Sequence, residues 1–162
     1  MKNYYIFLDI DGVLWDWKYI KSFIKKGGKV NGIVDVFNPE SINALNYLIK
    51  YQQSHNNDVT LVISSTWRRN MPIVIEKLKH YGLDMTKVHI EKIPQNYGDE
   101  FRGKLIKNYL LEKNDYDFVI IDDEMFDYRK ENLLSHLIKT NITNGCLNKQ
   151  CIDKYLQKDL IK

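Results

Sequence analysis

Tyr4-Tyr5-Ile6-Phe7-Leu8-Asp9-Ile10-Asp11-Gly12 is the stretch whose reading decides the fold. Its first five residues are aromatic or aliphatic, with no polar residue alternating among them. Continuous apolar character over so short a run is the mark of a strand buried on both faces, as in a parallel sheet flanked by helices. The run then meets acids at once. In open α/β sheets, ligands bind outside the carboxyl ends of the strands, so a strand ending at Asp9 delivers a carboxylate to that edge. Gly12 permits a tight bend, which lets Asp9 and Asp11 face one site. Two close carboxylates repel unless a proton or cation intervenes, and the pair suggests magnesium, a hard ion that takes oxygen ligands.

The rest of the chain repeats this grammar. Val59 to Ile63 reads as a second buried strand and ends in Ser64-Ser65-Thr66. Val88 to Ile93 is a third, Phe118 to Ile121 a fourth ending in Asp122-Asp123, and His136 to Lys139 a fifth. Helical patterns fall between them. Asn38-Pro39-Glu40-Ser41 opens one, with a capping Asn, Pro in the first turn and an acid near the positive end of the dipole. Ile42, Leu45, Leu48 and Ile49 recur on its buried face. A second begins near Pro72 with Val74, Ile75 and Leu78, and Gly82 as its stop. Phe101 to Leu111, a short piece at Arg129 to Leu134, and a closing segment with Ile152, Tyr155, Leu156 and Leu160 complete the set. Strands alternating with helices predict a parallel five-stranded sheet between helical layers, a three-layer αβα sandwich. One domain is expected over residues 1–162, with a flap at about 14–37 that Gly27-Gly28 and Gly32 mark as irregular or hairpin-like.

A chain of 162 residues with 44% hydrophobic and 28% charged residues fits one globular core rather than disorder. No apolar run approaches the roughly 20 residues of a membrane span, and the N-terminus lacks the pattern of a signal peptide. A cytoplasmic protein is expected, with Cys146 and Cys151 reduced. Neither a second cysteine pair nor a nearby histidine makes them a zinc site, and His55, His80, His89 and His136 fall in different elements. The net charge of +3 is mild, but Lys18, Lys21, Lys25, Lys26 and Lys29 follow one another without an acid. Trp15, Trp17, Tyr19 and Phe23 precede or interleave with them. The segment is either a solvated basic loop or a surface that receives an anionic substrate.

Strand-end acids and hydroxyls together supply what phosphate monoester chemistry needs. Asp9 can attack phosphorus as a carboxylate nucleophile. Asp11 can protonate the leaving alcohol and later deprotonate water. Asp122 and Asp123 would complete an acidic cage for Mg2+ with Asp9 and Asp11. Ser64 or Ser65 would hold phosphate oxygens, and a Lys or Arg at a helix start would neutralise charge.

These motifs resemble those of the haloacid dehalogenase-like (HAD) superfamily, over nearly the whole chain. Phe7-Leu8-Asp9-Ile10-Asp11-Gly12-Val13 resembles its first motif, Ser64-Ser65-Thr66-Trp67-Arg68 its second, and Ile120-Ile121-Asp122-Asp123-Glu124 its fourth. The resemblance implies a Rossmann-like fold, Mg2+, an aspartyl-phosphate on Asp9, and phosphatase or phosphotransferase chemistry, because branches that cleave other bonds typically lack the second aspartate. For the third-motif base, Arg102 and Lys104 both lie near the expected distance before Asp122. An arginine there would grip phosphate bidentately. Arg68 is expected to face the substrate entrance, and Trp67 either packs in the core or stacks on a base.

Ser-Ser-Thr-Trp-Arg, the Arg102-Gly103 helix start, Asp122-Asp123 and the strand followed by Thr140 and Gly145 resemble a compact, small-flap group associated with polynucleotide-end and RNA repair phosphatases. Without a large cap, an open site suits a large substrate such as an RNA or DNA end, or a phosphoprotein. Terminal phosphates, 3′ among them, are the expected target, with the lysines tracking the backbone. A nucleotidase or other small-molecule phosphatase is the alternative in the same chemistry. A catalytically degenerate HAD-fold binding module is the alternative in another class. A phospho-accepting receiver domain fits poorly, because the middle strand ends in Ser64-Ser65 where that fold requires a carboxylate.

Overall fold

The computed structural model describes residues 1–30, 36–94 and 101–159. Five strands, β1 (Lys2–Leu8), β2 (Asn57–Ile63), β3 (Val88–Lys92), β4 (Tyr116–Asp122) and β5 (Leu137–Lys139), form one sheet in the order β3-β2-β1-β4-β5. Every pairing is parallel. The central strand runs apolar from Tyr4 to Leu8, because it is covered by neighbours on both edges and by side chains on both faces. Its Leu8 lies level with Ile63 of β2 and Ile121 of β4, so the three strands end together.

Alternation along the strands divides the core in two. Tyr4, Ile6 and Leu8 join Val59, Leu61, Ile63, Val119 and Ile121 on one face. That face is covered by α1 (Trp17–Lys25), α2 (Pro39–Ser54), α3 (Met71–His80) and α5 (Lys149–Asp159). Tyr5, Phe7, Val62, Phe118 and Ile120 point the other way, to Leu105, Ile106 and Leu110 of α4 (Arg102–Leu111). The three-layer α/β arrangement expected from the sequence is therefore the observed one. No helix among the described residues is long and apolar enough to cross a membrane.

Two segments differ from expectation. The flap contains a helix, α1, where an irregular or hairpin insertion is expected. Asp16 caps it by accepting a hydrogen bond from Tyr19 N at 2.6 Å, and Ile20 anchors it in the core. Trp17, Tyr19, Ile20, Phe23 and Ile24 share one side of it and Lys18, Lys21 and Lys25 the other, a helical pattern that a reading led by Gly27-Gly28 passes over. Gly32 and the adjacent part of the flap lie outside the described residues, as does Leu160. Where a short helix is expected at 129–134, residues 129–132 form turns, followed by a 3-10 turn at Leu134–His136. Asn132 adopts φ 59°, left-handed backbone that ends any helix, and Leu133 N closes the loop on Tyr128 O at 2.9 Å.

Candidate active site

Side-chain parity builds the site. Asp9 continues the Tyr5–Phe7 side of β1, Ser64 the Val62 side of β2, and Asp122 the Phe118–Ile120 side of β4. All three therefore project toward α4. The ladder runs on past the strand ends: Asp9 N donates to Ile121 O at 3.0 Å and Ser64 N to Leu8 O at 2.9 Å. Arg102, the first residue of α4, reaches into this corner. Its Nη1 donates to Asp9 Oδ1 at 2.8 Å and to Asp122 Oδ2 at 2.7 Å, and all three side chains are buried. Phe126 lies 4.3 Å from the guanidinium carbon.

The start of α4 is held from outside. Phe101 cannot cap it, so Asp127 does, accepting from Gly103 N at 2.5 Å and Lys104 N at 3.1 Å. A side chain at position 103 would put a Cβ 2.8 Å from Asp127 Oδ1, so Gly103 keeps that cap in place. Lys104, the competing third-motif residue, has an exposed side chain on α4, whereas Arg102 is buried among the acids.

Ligand oxygens of Asp9, Asp122 and Asp123 all lie within 4.8 Å of one another. Three hard carboxylate donors on one strand edge fit Mg2+. Gly12 makes this closeness possible: it has φ +71°, and a Cβ there would stand 2.5 Å from Asp123 Cγ. Asp11, expected as a fourth metal ligand, is not in the cluster. Its carboxylate turns to two indoles, Trp15 Nε1 at 3.0 Å from Oδ1 and Trp67 Nε1 at 3.1 Å from Oδ2. The two candidate hydroxyls also part ways. Ser65 Oγ caps the 3-10 turn Thr66–Asn70, accepting from Trp67 N at 3.4 Å. Ser64 Oγ is buried and has no hydrogen-bond partner among the described residues.

Residues 5–151 match the family described as the HAD domain in Swiss Army Knife RNA repair proteins. The chain belongs to that family. No curated protein and no solved structure matches it.

In this HAD domain, electrostatics follows from crowding. Burial, then the neighbouring Asp122 carboxylate, pushes the Asp9 carboxyl from 3.8 up to about 7, although Arg102 opposes the shift. Burial and Asp122 likewise raise Asp123 to about 6. Burial disfavours the Arg102 charge, but Asp122 and Asp9 outweigh it and hold the guanidinium above its usual range. A cation among these acids would relieve the same repulsion.

Arg68 is the clearest departure from expectation. It is 2% exposed rather than at an entrance, and its Nη1 donates to the carbonyls of Ser64 at 2.9 Å and Ser65 at 3.0 Å. Ser65 O also accepts from Arg68 N at 3.0 Å, and the guanidinium adds a donor to both strand-end carbonyls. Sequence reasoning missed Tyr128, whose buried hydroxyl donates to Asp122 Oδ2 at 2.7 Å, and the capping role of Asp127. Both sit in the turns after β4 that were expected to be loop and helix. The acid at 127, close in sequence to Asp122-Asp123, was the available signal.

Proposed function

We propose that this HAD domain is a Mg2+-dependent phosphomonoester hydrolase acting on the terminal phosphates of RNA or DNA. The observation that carries the proposal is the convergence of Asp9, Asp122 and Asp123, with the buried Ser64 hydroxyl, unpartnered among the described residues, at the end of the adjacent strand. Asp9, Asp122 and Asp123 would hold Mg2+, which supplies positive charge that offsets repulsion between the nucleophile and the phosphate. Asp9 attacks phosphorus through a carboxylate oxygen as the bond to the leaving oxygen breaks, giving an aspartyl-phosphate. Asp11 gives its proton to that leaving oxygen. It then takes a proton from water as the water oxygen bonds to phosphorus, which frees Asp9 and inorganic phosphate. Ser64 Oγ donates to a non-bridging oxygen. Arg102 keeps Asp9 and Asp122 in place and adds fixed positive charge.

The nucleic-acid part of the proposal is supported by the matched family's RNA repair description and by α1. Lys18, Lys21 and Lys25 are exposed and recur at helical spacing along one side of it. Trp17, 44% exposed, stands at its first turn as a stacking surface. Phosphate release from 3′- and 5′-phosphorylated oligonucleotides, mononucleotides and an aryl phosphate tests both parts. Release should require Mg2+, vanish in Asp9→Asn, and be fastest on oligonucleotide ends at low salt. Equal rates on mononucleotides would replace the nucleic-acid reading with a nucleotidase, and no release from any ester would leave a binding module.

A further inference from the structure

Asp11 is held in an unusual way for a group that must pass a proton back and forth. Trp15 Nε1 donates to its Oδ1 at 3.0 Å. Trp67 Nε1 is shared between Oδ1 at 3.2 Å and Oδ2 at 3.1 Å. The two indoles come from different elements: Trp15 from the turn leading into α1, Trp67 from the 3-10 turn after β2. Neither ring is loosely placed. Trp15 is 4% exposed and packs edge-on against Trp17 with centroids 5.2 Å apart, while Trp67 lies against Phe37 at 5.9 Å.

The choice of donor has a chemical consequence. An indole N–H donates and never accepts, and it does not exchange its proton with a carboxyl group at ordinary pH. A hydroxyl or imidazole in the same place could accept from Asp11 and compete with substrate for its proton. Two indoles fix the carboxylate without entering the proton traffic. They also load the two oxygens unequally, Oδ1 with both donors and Oδ2 with one.

We infer that Trp15 and Trp67 are positioning residues, an indole clamp that holds the Asp11 carboxylate clear of the cation-binding acids and presents Oδ2 as the oxygen that carries the proton. The inference rests on the reading of Asp11 as acid and base given above. In the first step the Oδ2–H bond breaks as the proton passes to the leaving oxygen. In the second, Oδ2 takes a proton from the attacking water, so the carboxyl group is restored after each turnover.

The test compares wild type, Asp11→Asn, Trp67→Phe and the double variant on an alkyl phosphate with Mg2+. Trp67→Phe should lower kcat about tenfold, a share of the 10²–10⁴ that a positioned acid or base contributes, with KM within about twofold. In the Asp11→Asn background the same change should lower kcat less than about twofold, because the partner it positions is already disabled. Equal losses in both backgrounds, or an unchanged kcat, would make Trp67 a packing residue and overturn the inference. Trp15→Phe carries the same comparison if Trp67→Phe does not fold. A second readout needs no turnover. The three tryptophans give three indole N–H signals in nitrogen–proton spectra, and Asp11→Ala should move two of them, leaving Trp17 in place. If no Asp9-dependent turnover exists, the reading of the site has failed, and the clamp stands or falls on those two signals alone.

Discussion

Gly12 shows how much of the site depends on a single missing methyl group. Its backbone is left-handed, and its Cα faces Asp123 so closely that an added Cβ would lie 2.5 Å from that carboxyl carbon. Gly12→Ala should therefore lower Mg2+ affinity and activity together and destabilise the fold by about 1 kcal/mol or more. Calorimetric titration of Mg2+ alongside thermal melting checks both. The carboxyls make a second prediction. Asp9 has its folded pKa raised from 3.8 to about 7, so the fold favours its protonated form. The stability this group contributes is fully present at acid pH and is lost as pH rises through about 7. A divalent cation competes with that proton, so the rise in melting temperature caused by Mg2+ should be small at acid pH and grow toward about pH 8. An increment independent of pH would remove Asp9 from the metal site. At this scale the sequence was partly legible. Strand-end aspartates announce themselves, but Ser64 and Ser65 differ only in which hydroxyl a turn consumes. Arg68 carries no sign that its charge is spent on two carbonyls.

Helices of this protein owe their ends to distant residues as much as to their own. Asp127 caps α4 from beyond β4 and thereby fixes the first turn from which Arg102 reaches Asp9 and Asp122. Asp127→Ala should cost about 1 kcal/mol in urea unfolding, and it should lower kcat as well because Arg102 loses its base. A stability loss with unchanged kcat would separate the cap from the chemistry. Asp16 plays a comparable double part. It caps α1 and accepts from Cys146 N at 2.9 Å, pinning the flap helix to the segment that precedes α5. α2, with its own Asn38 cap and Pro39, is legible in the sequence, whereas α1 reads as irregular although Asp16 stands before an amphipathic run. The Asp16 cap and the separation of aromatics from lysines are visible in hindsight, but the glycines that follow draw the reading toward an irregular insertion.

Across the whole molecule the sheet is the source of order, and its two-sided burial was the most legible feature of all. Continuous apolar runs in β1, β2 and β4 identified the buried strands because no solvated face interrupts them. The strand order and the division of the helices between faces come from packing, which periodicity alone does not encode. Leu61 sits fully buried in β2 beneath the helices of the larger layer. Leu61→Ala should destabilise by about 2–5 kcal/mol in urea unfolding, with the pairing of Arg102 and the acids retained below the transition.

The central place of β1 also governs when the site can exist. The second neighbour of β1, β4, comes more than a hundred positions after it in the chain, with Asn3 opposite Tyr116. A nascent chain that has reached β2 already carries Asp9 and Ser64 on adjacent strand ends, yet lacks Asp122, Asp123 and half of the central strand's partners. Asp9 thus meets Asp122 and Asp123 only once β4 has joined β1, before the edge strand β5 is added.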